Sequence, residues 1–379
     1  LESLALPPDM AAAANPKSST GRIDVFTRVI ADGVGAFDQV PAGYHGPLYA
    51  EICPQTFPIV VRKGSRLSQM RFRVGPAGDT DEQLIELHAR EKLVFSDDAR
   101  EIADIAGGHI SIKYGFRGPN FTTVSACASS TNALIDAFNY IRLGHADVMV
   151  TGGSEAAVTI AGMGGFNAMH ALSTRNDDPK TASRPVDKDR EGFVLGEGAG
   201  SLILEEYEHA VARGARIYCE IGGGGMSADA HHITAPHPEG LGAKNVMINC
   251  LRDAGLTAKD VDGVNMHGTS TPLGDIAESK AITEVFGDHA YTLNLNSTKS
   301  MTGHLLGAAG AIEAIASILS IVHGIVPPTI NHFTDDENID PRLNFTFNKA
   351  QKRDMKVVMS NTFGFGGHNA CVLVKKLEM

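Results

Sequence analysis

Residues 123–130 read TVSACASS and lead directly into residues 132–141, which read NALIDAFNYI. The apolar residues of the second stretch recur at helical spacing, so we expect a strand, a turn at Cys127 and then a helix. Unpaired N–H groups and the positive end of a helix dipole stabilise an anion, which predicts a Cys127 pKa below the value of about 8.5 usual for a thiol. From this stretch alone, a nucleophile and a buried structural thiol are both open interpretations.

Three more motifs follow downstream: NMHGTST at 265–271, STKSMTGH at 297–304 and NTFGFGGHN at 361–369. In this order and with this spacing, the four motifs resemble those of the β-ketoacyl-acyl-carrier-protein synthases, most closely the condensing enzymes with a Cys-His-His site. The resemblance runs from about Glu101 to the C-terminus. It implies an α/β protein with the thiolase-like layered α-β-α-β-α fold, N-terminally incomplete here, with two related halves and usually a homodimer.

The strand and helix patterns after residue 114 agree with an α/β fold. We expect strands at 146–153 and 200–206, a helix around 209–213, and a strand over 262–267 that delivers His267 at its end. Four consecutive glycines at 222–225 lack the strand-GxGxxG-helix context of a nucleotide site, and we expect a loop there.

The family resemblance implies a role for each motif. Cys127 would attack an acyl thioester on acyl carrier protein and hold the chain as a thioester. The backbone N–H groups of Cys127 and Phe365 would form an oxyanion hole, while His267 and His304 would bind the malonyl thioester carbonyl as CO2 leaves. The condensation would need no metal or cofactor. Taken singly, each histidine is more often an ordinary core or surface residue.

Further residues have supporting roles under the same resemblance. Lys299 would be buried and paired with Glu313, although by residue type alone it is a solvated charge. Phe365, flanked by glycines, would act as a mobile gate for the acyl chain, with plain core packing as the alternative. The candidate substrate-binding residues are Thr269, Thr271 and Phe363. The two threonines would line the phosphopantetheine arm of the carrier.

Residues 1–97 have a different pattern, with β-prone runs at 22–26, 46–52, 57–61 and 68–72 separated by Pro and Gly. Strands of this length suggest a small barrel or sandwich. Three motifs there look like the dCTP deaminase branch of the dUTPase-like barrels: NPKSSTGR at 15–22, GYHGPLYAEI at 43–52 and RLSQMRF at 66–72. We therefore expect a β-rich dUTPase-like barrel fragment before the condensing-enzyme region.

That second resemblance implies a nucleotide site. Glu51 would activate water for attack at C4 of the cytosine, and Ser18 and Arg22 would hold the site and the nucleotide. If this segment is active, magnesium would be needed to bind the triphosphate. By residue type alone, Glu51 is an exposed strand residue, and Ser18 and Arg22 belong to a turn.

The two patterns meet near residues 96–100, without a Pro- or Ser-rich linker. A short helix is expected at 81–90, before the junction, and another at 102–112, after it. The sequence therefore predicts a dCTP deaminase-like fragment over 1–97 and a β-ketoacyl synthase-like region over 101–379, joined as a chimera or natural fusion.

Composition limits the remaining function classes. The formal net charge is −11 and neither part of the chain is basic, which argues against nucleic-acid binding. No apolar run looks long enough to span a bilayer and no secretion signal opens the chain, so we expect a cytoplasmic protein without a membrane partner. The 5 cysteines are scattered without CxxC pairs, which indicates neither a disulfide framework nor a zinc site.

Three hypotheses follow from these patterns. The first is a carrier-protein-dependent condensing enzyme of fatty-acid or polyketide synthesis. The second is a dCTP deaminase that forms dUTP. The third is a non-catalytic product of two truncated enzymes, because a sheet that lacks strands leaves backbone groups unpaired. The first is preferred because it accounts for most of the chain and for every residue of the condensing site.

Overall fold

The computed structural model describes residues 3–6, 8, 10–16, 25–34, 39–54, 68–74 and 105–377. The chain divides into two compact units, Leu1–Ile105 and Ala106–Met379. The helix expected at 81–90, the β run expected at 57–61 and the junction at 96–100 all lie outside the described residues.

The first unit is β-rich, as its punctuation by Pro and Gly predicts. Its described strands are β1 (Ser3–Ala5), β2 (Met10–Pro16), β3 (Val25–Ala31), β4 (Gln39–Val40), β5 (His45–Pro54) and β6 (Ser68–Val74). They form two antiparallel sheets, with the orders β1-β5-β3 and β4-β2-β6. Buried side chains from both sheets make a hydrophobic cluster: Leu6, Ala12, Ala14, Val29, Ala31, Val40, Tyr44 and Leu48.

The second unit alternates helices and strands. The described helices are α1 (Ile105–Tyr114), α2 (Ser129–Arg142), α3 (Ile160–Ala168), α4 (Tyr207–Ala212), α5 (Leu241–Ala254), α6 (Pro272–Phe286), α7 (Lys299–Thr302) and α8 (Ala309–His323). The described strands are β7 (Val148–Glu155), β8 (Gly198–Glu205), β9 (Glu220–Ala228), β10 (Gly263–Asn265), β11 (Asn294–Asn296), β12 (Ile325–Val326), β13 (Gln351–Lys352), β14 (Val357–Gly364) and β15 (His368–Lys375).

A five-stranded sheet of order β11-β10-β14-β15-β9 forms the C-terminal half of this unit. Strand β10 runs parallel to β11 and β14, whereas β15 is antiparallel to both β14 and β9. Six consecutive residues are buried in β14 and six in β15, as expected for strands covered on both faces. Helix α5 packs on β9 and β15, and α8 packs on β14 and β15.

The glycine run at 222–225 lies within β9, so the expectation of a loop there is wrong. Close packing against α5 explains the glycines. A Cβ on Gly225 would lie 2.3 Å from the carbonyl oxygen of Val246, and one on Gly223 would lie 2.8 Å from the backbone nitrogen of Ala254. The glycines therefore serve the close approach of a helix to a strand rather than a turn.

A smaller sheet in the N-terminal half pairs β7 with β8, antiparallel over the whole length of both strands. The strands expected at 146–153 and 200–206 are thus confirmed, with ends shifted by one or two residues. The helices expected around 102–112 and 209–213 are present as α1 and α4, also with shifted ends.

Residues 121–124 form no strand, which corrects the expectation of a strand before Cys127. The C-terminal half offers the reason. Strand β11 occupies the matching place there, before its own turn and helix α8, and it lies at the sheet edge with β10 as its neighbour. Among the described residues of the N-terminal half, no strand takes the position of β10, so none of the described strands is placed to pair with residues 121–124.

One stretch of the described chain, Leu306–His323, is long and apolar enough to cross a membrane, with a mean hydropathy of 1.6. The expectation that no run has this length is therefore wrong. In the structure, 56% of the stretch is buried within the protein, and it includes α8, which packs on the five-stranded sheet. Burial in this layer explains its apolar composition.

Candidate active site

Cys127 lies on a sharp turn at the start of helix α2, as predicted. The residue before it, Ala126, has a φ of 52°, in the left-handed region that non-glycine residues seldom adopt. The hydroxyl of Ser129 donates to the carbonyl oxygen of Ala126 at 2.6 Å and accepts the N–H of Ser125 at 2.9 Å. These bonds hold the turn so that the sulfur sits at the N-terminal end of a 14-residue helix.

The predicted low pKa of Cys127 is wrong, because burial dominates. The residue is 6% exposed, and desolvation raises its pKa from 9.0 to about 11. The charge of Lys299 and the backbone N–H groups of Phe365 and Cys127 itself act in the opposite direction, without outweighing burial. The resting group is therefore a thiol rather than a thiolate.

Two histidine rings lie next to this thiol. His304 Nε2 is 3.1 Å from Cys127 Sγ, and the centroid of the His304 ring is 5.3 Å from that of His267. Burial lowers the pKa of both histidines well below 6.5, with the Lys299 charge adding to the effect. Both rings are therefore neutral at physiological pH, and each carries a single N–H that can donate.

Backbone contacts fix where the two rings stand. The His304 N–H donates to the carbonyl of Val194 at 2.7 Å, and the His304 carbonyl accepts from Gly196 at 3.0 Å. His267 follows β10 by two residues, at the carboxyl end of a strand, as predicted. The motifs at 265–271 and 297–304 thus converge on Cys127 from the C-terminal half of the unit.

Lys299 and Glu313 form a buried ion pair close to the histidines. Each side chain is 1% exposed, and Lys299 Nζ donates to Glu313 Oε1. Burial raises the pKa of Glu313 to about 7, and Lys299 opposes that rise. The interpretation of Lys299 as a solvated surface charge is therefore wrong.

Phe363 near the end of β14 and Phe365 in the turn between β14 and β15 lie beside the site. The Phe363 ring lies 5.5 Å from that of His267, and the half-buried Phe365 ring lies 6.5 Å from that of Phe166. Gly366 and Gly367 have φ values of 89° and 76°, which glycine adopts without strain. The loop conformation therefore depends on its glycines.

Thr269 and Thr271 lie on the loop that follows His267. Their hydroxyl oxygens are 3.0 Å apart, and Thr271 is the residue before α6. Both predicted threonines thus stand near the histidine on the same short loop. Their hydroxyls bond to each other in the described structure.

Sequence reasoning missed Glu278, which is 1% exposed and supports the same loop. Its two carboxylate oxygens accept the backbone N–H groups of His267 and Gly268, each at 2.9 Å, and the Asn361 side chain donates to it at 3.2 Å. Burial raises the pKa of Glu278 to about 7 despite these donors. An acidic residue on a helix gives no sign of this role unless the loop geometry is known.

An apolar cluster beside the thiol was also missed. Its side chains come from separate parts of the chain: Cys127, Phe166, Leu172, Phe193, Leu195 and Leu306. The Phe193 ring stands edge-on to that of His304, with the centroids 5.2 Å apart. No spacing in the sequence connects these residues, because the fold alone brings them together.

Of the three predicted deaminase residues, the structure describes Glu51 alone. Ser18 and Arg22 lie outside the described residues. Glu51 lies in β5, where its backbone is in register with Arg28 of β3. No cluster of three or more His, Cys, Asp or Glu side chains placed to hold a metal occurs in the described part of the chain.

Family models match three segments of the chain. Residues 64–210 match the N-terminal domain of β-ketoacyl synthase, and residues 218–333 match its C-terminal domain. Residues 1–76 match the N-terminal domain of 2′-deoxycytidine 5′-triphosphate deaminase, in agreement with the resemblance drawn from the motifs there.

Curated relatives are similar over most of the chain. It is 50% identical over 279 residues to 3-oxoacyl-[acyl-carrier-protein] synthase 2 of Synechocystis sp., which is 73% of this chain and 66% of that protein. The enzyme of the same name from Staphylococcus aureus (strain COL) is 53% identical over 277 residues, which again cover 73% of this chain and 66% of that protein. The chain thus spans 66% of the length of these curated relatives.

Solved structures agree with the sequence relatives. A β-ketoacyl synthase from Burkholderia phymatum has a TM-score of 0.71 at 36% identity, covering 78% of this chain and 71% of that one. A type II PKS ketosynthase, solved with its acyl-carrier protein, has a TM-score of 0.70 at 37% identity, covering 72% and 66%. The thiolase-like fold expected from the motifs is therefore confirmed, and the chain belongs to the β-ketoacyl synthase family.

Proposed function

We propose that this chain is a β-ketoacyl-acyl-carrier-protein synthase. It would move an acyl group from acyl carrier protein to Cys127 and condense it, with decarboxylation, with malonyl-acyl carrier protein. The observation that carries the proposal is the 3.1 Å approach of His304 Nε2 to the Cys127 sulfur, at a point where two backbone N–H groups also face that sulfur.

Acylation of Cys127 is the first step. His304 donates its Nε2–H to the Cys127 sulfur as this sulfur attacks the carrier thioester carbonyl, and the thiol proton passes to the departing carrier thiolate. The N–H groups of Cys127 and Phe365 stabilise the negative charge that develops on the carbonyl oxygen. The products are an acyl-cysteine and a free carrier thiol, and His304 ends neutral as it began.

Decarboxylative condensation is the second step. The neutral His267 and His304 rings donate to the thioester carbonyl of malonyl carrier and stabilise the enolate formed as CO2 leaves. The enolate carbon attacks the acyl-cysteine carbonyl, a C–C bond forms and the C–S bond to Cys127 breaks. The released Cys127 thiolate then takes a proton from water. The apolar cluster beside Cys127 would receive the acyl chain.

The remaining site residues would support these steps. Lys299 and Glu313 place a fixed positive charge near both rings, Phe365 acts as the gate, and Phe363 packs beside His267. Thr269 and Thr271 would contact the phosphopantetheine arm. No cofactor or metal enters either step.

Acyl carrier protein, bearing acyl or malonyl groups, is the proposed partner. Support comes from the similar type II PKS ketosynthase that was solved in complex with its acyl-carrier protein. We further propose a homodimer in the cytoplasm, with the deaminase-like segment at 1–97 and the condensing region at 101–379. The net charge of −11 agrees with the absence of a nucleic-acid partner.

Intact-mass analysis after incubation with acyl-acyl carrier protein tests the proposal. A single acyl adduct should appear on the wild type and be absent from Cys127→Ala, while Cys219→Ala serves as a matched control. Equal acylation of the Cys127→Ala protein would refute the nucleophile. Release of CO2 from malonyl carrier, and its loss in His267→Ala, would then test the second step.

Deamination of dCTP is a second candidate, favoured by the family-model match at 1–76. Formation of dUTP in the presence of magnesium, abolished by Glu51→Gln, would support it. A third candidate is a fusion product without either activity, favoured by the two-stranded sheet of the N-terminal half. Absence of both acylation and deamination in a folded protein would support that candidate.

A further inference from the structure

We propose that Glu155 is a positioning residue of the condensing site, which bonds to the turn after His304 and places a negative charge beside the Cys127 sulfur. The four sequence motifs of the condensing site do not include this residue. Its effect on catalysis rests on the proposed function, whereas its effects on the turn and on the thiol do not. One hydrogen bond, the close packing of three backbone segments and the charges that face Cys127 support this role.

Glu155 is the last residue of β7, where it pairs with Gly198 at the start of β8. One of its carboxylate oxygens, Oε2, accepts the backbone N–H of Gly307 at 3.1 Å. Gly307 follows His304 closely, in the short helical turn Leu306–Ala308 that leads directly into α8. The bond therefore joins the sheet of the N-terminal half to the turn that connects His304 with α8.

The geometry of a helix start explains why a carboxylate suits this position. The first N–H groups of a helical segment have no acceptor within that segment, so a side-chain oxygen stabilises them. A negative charge there also interacts favourably with the positive end of the α8 dipole. In addition, Leu306 has a φ of 46°, a strained conformation for a non-glycine residue that surrounding contacts must hold. Loss of the Glu155 carboxylate should therefore loosen the turn between His304 and α8.

Close backbone packing surrounds this bond. A Cβ on Gly153, which lies on the same face of β7 as Glu155, would be 2.9 Å from the carbonyl oxygen of Gly307. A Cβ on Gly307 would be 3.2 Å from Glu155 Oε2 and 3.8 Å from the carbonyl oxygen of Ala126. Strand β7, the turn that leads into α8 and the turn at Cys127 thus meet at Gly307. The Glu155 carboxylate lies at this junction, so its removal should affect both turns.

Glu155 also contributes to the charge that Cys127 experiences. Burial is the largest cause of the raised pKa of the Cys127 thiol, the Lys299 charge lowers that pKa, and the Glu155 charge raises it. The other groups that face the sulfur are the neutral His304 ring and the backbone N–H groups of Phe365 and Cys127 itself. The Glu155 carboxylate therefore opposes Lys299 and favours the thiol, which reacts with electrophiles and oxidants more slowly than a thiolate does.

The rate at which iodoacetamide alkylates Cys127 tests the effect of the charge. It is measured by intact mass on the full 379-residue chain, and the rate of Cys127→Ala is subtracted. Glu155→Gln should react about twofold faster or more between about pH 7 and about pH 9, because loss of a nearby negative charge favours the thiolate. Glu206→Gln is the matched control, since Glu206 accepts the N–H of His209 at 2.7 Å and follows β8 at the opposite end of the same sheet. Its rate should equal that of the wild type.

Two variants of Glu155 test the contact with the turn. The amide oxygen of Glu155→Gln can still accept the Gly307 N–H, whereas Glu155→Ala removes the acceptor. Glu155→Ala should therefore slow CO2 release from malonyl carrier about tenfold or more, while Glu155→Gln stays within about threefold of the wild type. Backbone hydrogen–deuterium exchange at 305–308 should accelerate in Glu155→Ala and not in Glu155→Gln. This last measurement does not depend on activity.

Four results would overturn the proposal: equal alkylation rates for Glu155→Gln and the wild type, an equal gain in rate for Glu206→Gln, unchanged exchange at 305–308 in Glu155→Ala, or equally slowed CO2 release in both Glu155 variants. Far-UV circular dichroism checks that each variant is folded, and alkylation of Glu155→Gln decides the question if Glu155→Ala is unfolded. A wild type that releases no CO2 would refute the proposed condensing function, whereas alkylation and exchange would still test this role of Glu155.

Discussion

Replacing Lys299 by Met should destabilise the second unit by an amount that depends on pH. The Lys299 and Glu313 side chains are each 1% exposed and paired. Deleting the cation leaves a carboxylate alone in the interior, and breaking a buried pair in this way costs about 3–5 kcal/mol. Since a domain is stable by roughly 5–15 kcal/mol, the loss is large enough to measure.

The direction of the pH effect follows from Glu313. Burial raises its folded-state pKa to about 7, above its ordinary value of 4.5, and Lys299 opposes that rise. Without Lys299, the folded-state pKa of Glu313 moves higher still. A carboxyl with a raised folded-state pKa is favourable while protonated, and this stability is lost as pH rises through that pKa. Lys299→Met should therefore cost more stability at about pH 8.5 than at about pH 6.

Urea unfolding followed by far-UV circular dichroism measures the effect. The double variant Lys299→Met/Glu313→Gln should recover most of the loss, because it buries no charge. Lys244→Met is the surface control, since Lys244 pairs with Glu284 at 2.8 Å on an exposed helix face and should contribute only about 0–1 kcal/mol. Equal losses at both pH values, or losses that simply add in the double variant, would refute the reasoning.

Three other results are expected. The rate at which iodoacetamide alkylates Cys127, measured by intact mass, should rise roughly tenfold per pH unit from neutral to about pH 9, because burial raises the thiol pKa to about 11. A rate that stops rising below pH 8 would contradict this. Glu278→Gln should slow CO2 release about tenfold or more without slowing acylation of Cys127, because the loop at His267 loses a carboxylate that accepts two of its N–H groups. Equal slowing of both steps would contradict the role of Glu278 in positioning His267. Gly225→Ala should lower the urea midpoint of unfolding by an amount equivalent to roughly 1–3 kcal/mol or more, because the added Cβ would lie 2.3 Å from the α5 backbone. Gly164→Ala is the control, since a Cβ there meets no atom within 4 Å, and equal midpoints for the two variants would refute the packing argument.

The parts of the fold that follow from local patterns were predictable. Alternation of strands with helices located β7, β8 and α4 within a few residues, and Pro and Gly punctuation indicated the β-rich first unit. Cys127 at the start of α2 followed from the helical spacing after it. Each of these features depends on residues that are neighbours in sequence.

Features that depend on distant packing were not predictable. The glycines at 222–225 resemble a loop until α5 is placed directly on the strand. The position of Cys127 at a helix N-terminus favours a thiolate, but burial raises the pKa of its thiol instead. Part of that burial comes from residues distant in sequence, such as His304, which is 177 residues away. Glu278 is an ordinary acidic residue of α6 until its two backbone partners are known.

In the described part of the N-terminal half the sheet has two strands, and contacts from the C-terminal half hold the turn at Cys127. Thr131 and Thr362 join their hydroxyls at 2.7 Å, and the Ser130 hydroxyl accepts the N–H of Ala311 at 3.0 Å, both in buried positions. Gly364 lies so close to the turn that a Cβ there would be 2.7 Å from the Ser125 carbonyl oxygen. These contacts fasten the nucleophile turn to α8 and β14, which belong to the completed sheet. Contacts with the C-terminal half therefore position the Cys127 sulfur in a structure in which residues 121–124 form no strand.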